Sequence, residues 1–193
     1  MKMKKLLVTA LLALMFGAVS AQNEHLTFKG VPIDGNAQEF TQKMCMKGFS
    51  VLKNRNDLIL LQGSFSGKPN CKVIVNTLEK EEIVSSVQVI FERENTWMAL
   101  SNDYDSLKSM LTDKYGQPTD VKEQFVNLYS EEDFLKIIRL QANDCEWRSA
   151  FETGLGQIVL SIVYDMEYGC HVLLEYRDRI NCMRQRNVAM DDL

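Results

Sequence analysis

The stretch that decides the fold class is the alternating run Cys170-His171-Val172-Leu173-Leu174-Glu175-Tyr176-Arg177. In a β-strand every second side chain points to the same face. One face of this run is therefore apolar and directed toward a core, with Cys170, Val172, Leu174 and Tyr176. The other face carries His171, Glu175 and Arg177. This pattern predicts a strand with one buried and one solvated face, as in antiparallel sheets.

An earlier segment of the chain resembles this strand. When the sequence is shifted by 99 positions (170 minus 71), residues 71–75 fall on 170–174 and residues 59–61 fall on 158–160, without a gap. A helix signal and another strand precede both copies. The match predicts two repeated units, each a helix with three or four strands.

Hydrophobic periodicity and turn residues place the other elements. Predicted helices run from Asn36 to Gly48, over 96–115, from about Ser130 to Gln141, and over 179–190. Predicted strands cover 49–54, 58–66, 70–77, 83–92, 119–126, 145–152, 156–165 and 170–177. The connections are too short for parallel crossovers. We expect an α+β fold with antiparallel strands and helices packed on one face, rather than a sandwich.

The first 21 residues have the pattern of a secretory signal peptide. Three lysines precede an apolar run from Leu6 to Ala18, and small residues end the segment at Ala21. The run is shorter than the roughly 20 residues that span a bilayer. No cysteine follows Ala21 for lipid attachment. We expect a cleaved signal peptide over 1–21 and a periplasmic or secreted protein, with no integral membrane segment after processing.

The chain after residue 21 divides into two predicted parts. Residues 22–95 form the first α+β unit, and residues 96–193 form a linking helix and the second unit. Without the three signal lysines, 19 basic residues face 26 acidic ones, which is a net charge of −7. Phosphate backbones bind clustered lysine and arginine. Nucleic acid is therefore not an expected partner.

Five cysteines lie in the predicted mature chain, at positions 45, 71, 145, 170 and 182. Strand alternation directs Cys71, Cys145 and Cys170 toward the core. The separations 45–71 and 145–170 are nearly equal, so we predict the disulfides Cys45–Cys71 and Cys145–Cys170, one per unit. Cys182 is left over. The alternative is that all five are buried thiols that act as small apolar side chains.

Residues suited to catalysis are few. His25 follows the predicted cleavage site, where chains are usually loose, and His171 falls on the outward strand face. Serine-nucleophile, zinc-helix and phosphate-loop motifs are missing from the sequence. We predict no catalytic residue, no metal and no cofactor. Tyr129, Met166 and Tyr168 lie in predicted loops and are candidate contacts for a protein partner.

Three segments carry a family resemblance: Leu26-Thr27-Phe28-Lys29-Gly30-Val31-Pro32-Ile33-Asp34-Gly35, Asp113-Lys114-Tyr115-Gly116-Gln117-Pro118 and Leu174-Glu175-Tyr176-Arg177-Asp178-Arg179-Ile180-Asn181. They resemble a family of small exported proteins from Bacteroides and related gut bacteria, over nearly the whole mature chain. This resemblance implies export and supplies no catalytic residues. The predicted tandem units are also similar in architecture to the β-lactamase inhibitory protein. The helix over 96–115 and the fifth cysteine depart from that pattern.

Three functions are compatible with these observations. The leading expectation is an exported, non-enzymatic binding or inhibitor-like protein that engages another protein through a sheet face or loops. The alternative is a periplasmic hydrolase of glycan or peptide, since glycoside hydrolysis needs only two carboxylates across a cleft. A small-ligand carrier would instead show an apolar pocket between helix and sheet.

Overall fold

A computed structural model describes residues 24–55, 58–78, 81–126 and 132–191. The predicted signal peptide and the candidate contact Tyr129 lie outside these residues. The described strands are β1 (Thr27–Phe28), β2 (Val31–Pro32), β3 (Ser50–Arg55), β4 (Leu58–Phe65), β5 (Lys68–Thr77), β6 (Val84–Ile90), β7 (Asp120–Phe125), β8 (Cys145–Thr153), β9 (Gly156–Asp165) and β10 (Gly169–Asp178). The described helices are α1 (Ala37–Met46), α2 (Trp97–Tyr115), α3 (Asp133–Gln141) and α4 (Arg179–Asp191).

Eight strands form one antiparallel sheet in the order β3-β4-β5-β6-β10-β9-β8-β7. The last strand of the chain, β10, therefore lies in the middle, paired with β6 on one side and β9 on the other. The first two strands form a separate short hairpin. This architecture confirms the predicted α+β class and the antiparallel strands.

The core lies on one face of the sheet. Inward side chains such as Leu61, Val73 and Leu174 meet α1 and α2 there. The apolar residues of α2 follow the three- and four-residue spacing of a helix face, with Leu100, Tyr104, Leu107 and Leu111 buried. Asn36 begins α1 by accepting a hydrogen bond from the Gln38 amide at 2.8 Å. Helices α1 to α3 thus cover the apolar face that alternation predicted.

The predicted duplication is not confirmed by the structure. A shift of 99 positions superposes β4 on β9 and β5 on β10, and both pairs are hairpins. Their registers differ, because Cys71 lies opposite Gly63 whereas Cys170 lies opposite Tyr164, two residues beyond the shifted position. A helix precedes three strands in both halves, α1 before β3 and α3 before β8, but β6 follows only in the first half and β7 precedes the helix only in the second. The repeat stays a prediction.

Neither predicted disulfide is present, and all five cysteines are free thiols. Strand β9 separates the strands that carry Cys145 and Cys170. Two inter-strand spacings amount to about 9–10 Å, whereas a disulfide joins Cα atoms less than about 7 Å apart. Cys71 is fully buried, while Cys45 is exposed on α1. The nearly equal spacing of the two cysteine pairs in the sequence did not indicate that β9 lies between the strands of Cys145 and Cys170.

Candidate functional site

Helix α3 is fixed at the start of α2 by one carboxylate. Asp133 accepts hydrogen bonds from the backbone amides of Trp97 and Met98 at 2.9 and 2.8 Å. These amides belong to the first turn of α2, where donors lack partners within the helix and the helix dipole favours negative charge. Asp133 is also the acidic residue in the first turn of its own helix. The structure shows that it caps the neighbouring helix.

The other end of α3 lies where β10 begins and β7 ends. Arg139 forms an ion pair with Asp144 at 3.0 Å, and the backbone carbonyl of Asp144 accepts from the amide of Val126. At the last residue of α3, Gln141 Nε2 lies 3.9 Å from the sulfur of Cys170. Helix α3 is therefore held against this end of the sheet from both sides.

One face of α3 is apolar and exposed. Phe134 and Ile138, one helical turn apart, are 57% and 50% exposed, whereas Leu140 on the other side is buried. Other exposed apolar side chains lie on the segments that contact α3. Together they form what we call the α3 surface: Met98, Val126, Phe134, Ile138, Tyr164 and Met166. Clustered exposed apolar residues of this kind mark interaction sites.

Three aromatic rings pack together at the start of α2, next to the point where Asp133 of α3 binds. The ring of Trp97 lies 4.6 Å from that of Phe125 and 4.8 Å from that of Trp147, both edge to face. The indole nitrogen of Trp147 is buried without a hydrogen-bond partner. Burial also raises the pKa of Cys145 to about 12, so its thiol is protonated and unreactive at neutral pH.

The turn between β9 and β10 holds two of the predicted contact residues. Asp165 accepts hydrogen bonds from the amides of Glu167 and Tyr168, which fixes the turn. Met166 at its tip is 96% exposed. Tyr168 instead packs under the ammonium group of Lys72, 4.4 Å from the ring centre. Of this predicted pair, Met166 is the freely accessible side chain.

His171 lies on the outward strand face as predicted, but it is not solvated. It is 1% exposed, and its Nδ1 lies 3.0 Å from the carbonyl oxygen of Gly169. The edge of the Tyr168 ring packs against the imidazole. Burial lowers the pKa of His171, and this outweighs the opposing effects of the Gly169 bond and Asp165. The histidine is therefore a neutral packing residue at pH 7.

The opposite end of β10 carries a cluster of polar groups that we call the polar knot: the buried Asp178 and Asn181 and the partly exposed His25 and Asp34. The fully buried Asp178 accepts from the Leu26 amide at 2.8 Å and the Asn181 amide at 2.9 Å. Nδ1 of His25 lies 3.0 Å from Asp178, and its Nε2 lies 3.3 Å from Asp34. His25 is thus tied down rather than loose, and its partner Asp178 lies 153 positions away.

Asn181 extends the polar knot to the sheet. Its side-chain amide lies within hydrogen-bond distance of Asp34 and of the carbonyl oxygens of Ile33 and Val84. Burial alone would raise the pKa of Asp34, but hydrogen bonds from Asn181 and the Gly35 amide, together with His25, lower it overall. Although two carboxylates meet a histidine here, both oxygens of Asp178 are already occupied and buried. The polar knot joins three segments and offers no open pair of carboxylates for hydrolysis.

Among residues 24–55, 58–78, 81–126 and 132–191, no three histidine, cysteine or acidic side chains are placed to hold a metal ion. None of the helices in these ranges has the length and apolar character needed to cross a bilayer.

No family model matches the chain, and neither a curated protein nor a solved structure matches it.

Proposed function

We propose that this chain is an exported, non-enzymatic binding protein of the periplasm or the extracellular space, and that it engages another protein through the α3 surface. The observation that carries the proposal is the clustering of Phe134, Ile138 and Met98 as exposed apolar side chains around one anchored helix. Burying such side chains against a partner gains roughly 25 cal/mol per Å² of apolar area.

The position of the surface supports binding rather than catalysis. Its centre is a helix face, and anchored helices keep their geometry when a partner binds, which reduces the ordering cost. Trp97, which packs against Phe125 and Trp147, also donates its backbone amide to Asp133 at the start of α3. Met166 extends the surface at the adjoining turn, where the sequence also predicts a contact. Methionine adapts its shape to different partners.

A capture experiment with matched variants tests the proposal. Residues 22–193 are immobilised and exposed to an envelope extract of the source organism, alongside Phe134→Lys/Ile138→Lys and the control Met46→Lys. Met46 is the exposed methionine at the end of α1, outside the α3 surface. We expect wild type and the Met46→Lys control to capture the same protein. The double variant should not capture it. Purified again, that protein should bind the double variant at least about tenfold more weakly.

Equal capture by wild type and double variant would contradict the proposed site. Both variants should keep the wild-type far-ultraviolet circular dichroism, because every substituted side chain is exposed. The proposed export is checked independently. Mass spectrometry of the protein isolated from the envelope fraction should show an amino terminus at Gln22. An uncleaved chain retained in the cytoplasm would overturn it.

A further inference from the structure

Two of the six side chains of the α3 surface are methionines. Met98 is 65% exposed, and Met166 is almost fully exposed. The backbone amide of Met98 donates to Asp133, the residue before Phe134, so Met98 adjoins the start of α3. Met166 lies in the turn that joins β9 and β10, and α3 contacts both strands. Small molecules in the surrounding water therefore reach both side chains.

The cysteines of the chain are less suited to react with an oxidant, and none of them belongs to the α3 surface. The thiolate is the reactive form of a cysteine. Burial disfavours the thiolate by raising the pKa of four thiols, those of Cys71, Cys145, Cys170 and Cys182. The exposed Cys45 lies on α1, outside the α3 surface. A thioether has no proton to lose, so the methionines are the sulfur groups that an oxidant reaches on the α3 surface.

Two methionines on α1 provide internal references. Met44 is fully buried, whereas Met46, two residues later, is 79% exposed. Neither belongs to the α3 surface. Oxidation of Met46 therefore shows what an exposed thioether does elsewhere in the chain, and an unchanged Met44 shows that the core has stayed closed.

Oxidation makes a methionine side chain polar and leaves its backbone unchanged. The thioether sulfur attacks one oxygen of hydrogen peroxide, so that an S–O bond forms and the O–O bond breaks. The departing hydroxide takes the proton of the new S–OH group, which gives a sulfoxide and water. Sulfur is oxidised by two electrons, and the peroxide is reduced by two. Burying the polar sulfoxide against a partner is unfavourable unless it finds a hydrogen-bond donor there.

We propose that Met98 and Met166 are sites of reversible oxidation by hydrogen peroxide, and that their sulfoxides release the partner of the α3 surface. This inference rests on the proposed function, because it names the regulation of the same surface. The periplasm and the extracellular space, which we propose for the chain, are oxidising compartments. Methionine sulfoxide reductases reverse the change. Two thiol groups of the reductant become a disulfide, and the sulfoxide oxygen leaves as water.

Peroxide treatment of immobilised residues 22–193 tests the inference. All proteins carry Cys45→Ser, so that the exposed thiol forms no disulfide between chains. The peroxide concentration is one that leaves Met44 unoxidised, and catalase removes the peroxide before the envelope extract is added. Peptide mass spectrometry should find sulfoxide at Met98, Met166 and Met46. Unmodified Met98 and Met166 beside an oxidised Met46 would overturn the inference.

The capture of the envelope protein after oxidation is then divided by the capture before oxidation, for each protein separately. For wild type and for Met46→Leu this ratio should fall below about one tenth. For Met98→Leu/Met166→Leu it should stay near one, because leucine is apolar, similar in volume and without sulfur. Met98→Leu and Met166→Leu are also tested singly, and each should keep a larger ratio than wild type. Reductases specific for the two sulfoxide epimers should restore the capture that oxidised wild type has lost.

The outcomes separate this inference from the proposed function. If untreated wild type captures no protein, the proposed function fails and the inference fails with it. If untreated wild type captures a protein that Phe134→Lys/Ile138→Lys does not, and oxidised wild type captures it equally well, the inference alone fails. The inference also fails if Met98→Leu/Met166→Leu loses capture on oxidation as wild type does, because another oxidised residue is then responsible.

Discussion

The two ends of β10 differ in the kind of side chain that is out of its usual environment. At the Asp178 end, charged and polar side chains are buried, and Asp178 has a donor for each of its oxygens. At the Gly169 end, apolar side chains such as Phe134 and Ile138 are exposed around α3. Both arrangements are uncommon in a folded monomer.

The difference shows how to separate structural from functional residues in this chain. A polar cluster whose members bind one another stabilises the fold internally, and removing Asp178 leaves its buried donors without an acceptor. An exposed apolar cluster contributes little to folding, because water still reaches it. Substitutions in the polar knot should therefore change the free energy of unfolding. Substitutions in the α3 surface should change binding to a partner.

The largest expected effect is that of Asp178→Ala. This change leaves the amides of Leu26 and Asn181 buried without an acceptor and removes the carboxylate next to His25. We expect the free energy of unfolding to fall by about 3–5 kcal/mol, since leaving two buried backbone donors without an acceptor costs about 1–3 kcal/mol each. Urea unfolding followed by circular dichroism measures this. The exposed Asp105→Ala is the control and should change stability by less than about 0.5 kcal/mol.

His25→Ala should have a smaller effect at the same end. It removes one of the three groups bound to Asp178 but leaves both backbone amides paired. We expect a loss of about 1.5–3 kcal/mol in urea unfolding, which is typical of a hydrogen bond to a charged group. A loss as large as that of Asp178→Ala would mean that the histidine, and not the carboxylate, holds the polar knot together.

The neutral His171 predicts a weak acid sensitivity at the Gly169 end. Because burial lowers its pKa, the folded chain binds a proton less readily than the unfolded chain, whose histidines titrate near about 6.5. As the pH falls through about 6.5 the unfolded state therefore gains protons first and stability falls. Urea midpoints at pH 7 and pH 5 should differ less for His171→Gln than for wild type. An equal difference in both proteins would assign the sensitivity to other groups.

The smallest stability effect belongs to the α3 surface. Ile138→Lys replaces a half-exposed side chain on a helix, so unfolding free energy should change by less than about 0.5 kcal/mol. Thermal unfolding by calorimetry checks this value. A loss above 1 kcal/mol would mean that Ile138 is part of the core, and the contrast between the two ends would then fail.

Local patterns in the sequence predicted most of the fold. The spacing of Leu100, Tyr104 and Leu107 indicated α2, and the alternation over residues 170–177 indicated β10, because both signals depend on neighbouring residues. The two-residue strands β1 and β2 were missed, since so short a segment has no measurable period. The order of the strands in the sheet could not be predicted from local patterns. The predicted Cys145–Cys170 disulfide is absent because β9 lies between the strands that carry these two cysteines.

The candidate site was harder to predict from the sequence than the fold was. Phe134 and Ile138 were placed on a helix, but their exposure depends on how α3 is anchored by Asp133, 35 positions or more from the amides it binds. His25 was placed in a loose terminus because its partner Asp178 is distant in sequence. The sequence did contain one clue. Five of the nine residues of α3 are apolar, and a single buried helix face does not accommodate that many.

The central position of β10 also determines the order in which the chain is able to fold. Strands β3 to β6 and strands β7 to β9 each pair with neighbours in sequence, but the two groups are joined only through β10. During synthesis from the amino terminus, residues 169–178 appear after every other strand. Until then, the inner edges of β6 and β9 have no partner, and unpaired edges favour aggregation. The time at which residues 169–178 emerge therefore sets how long the two edges stay unpaired.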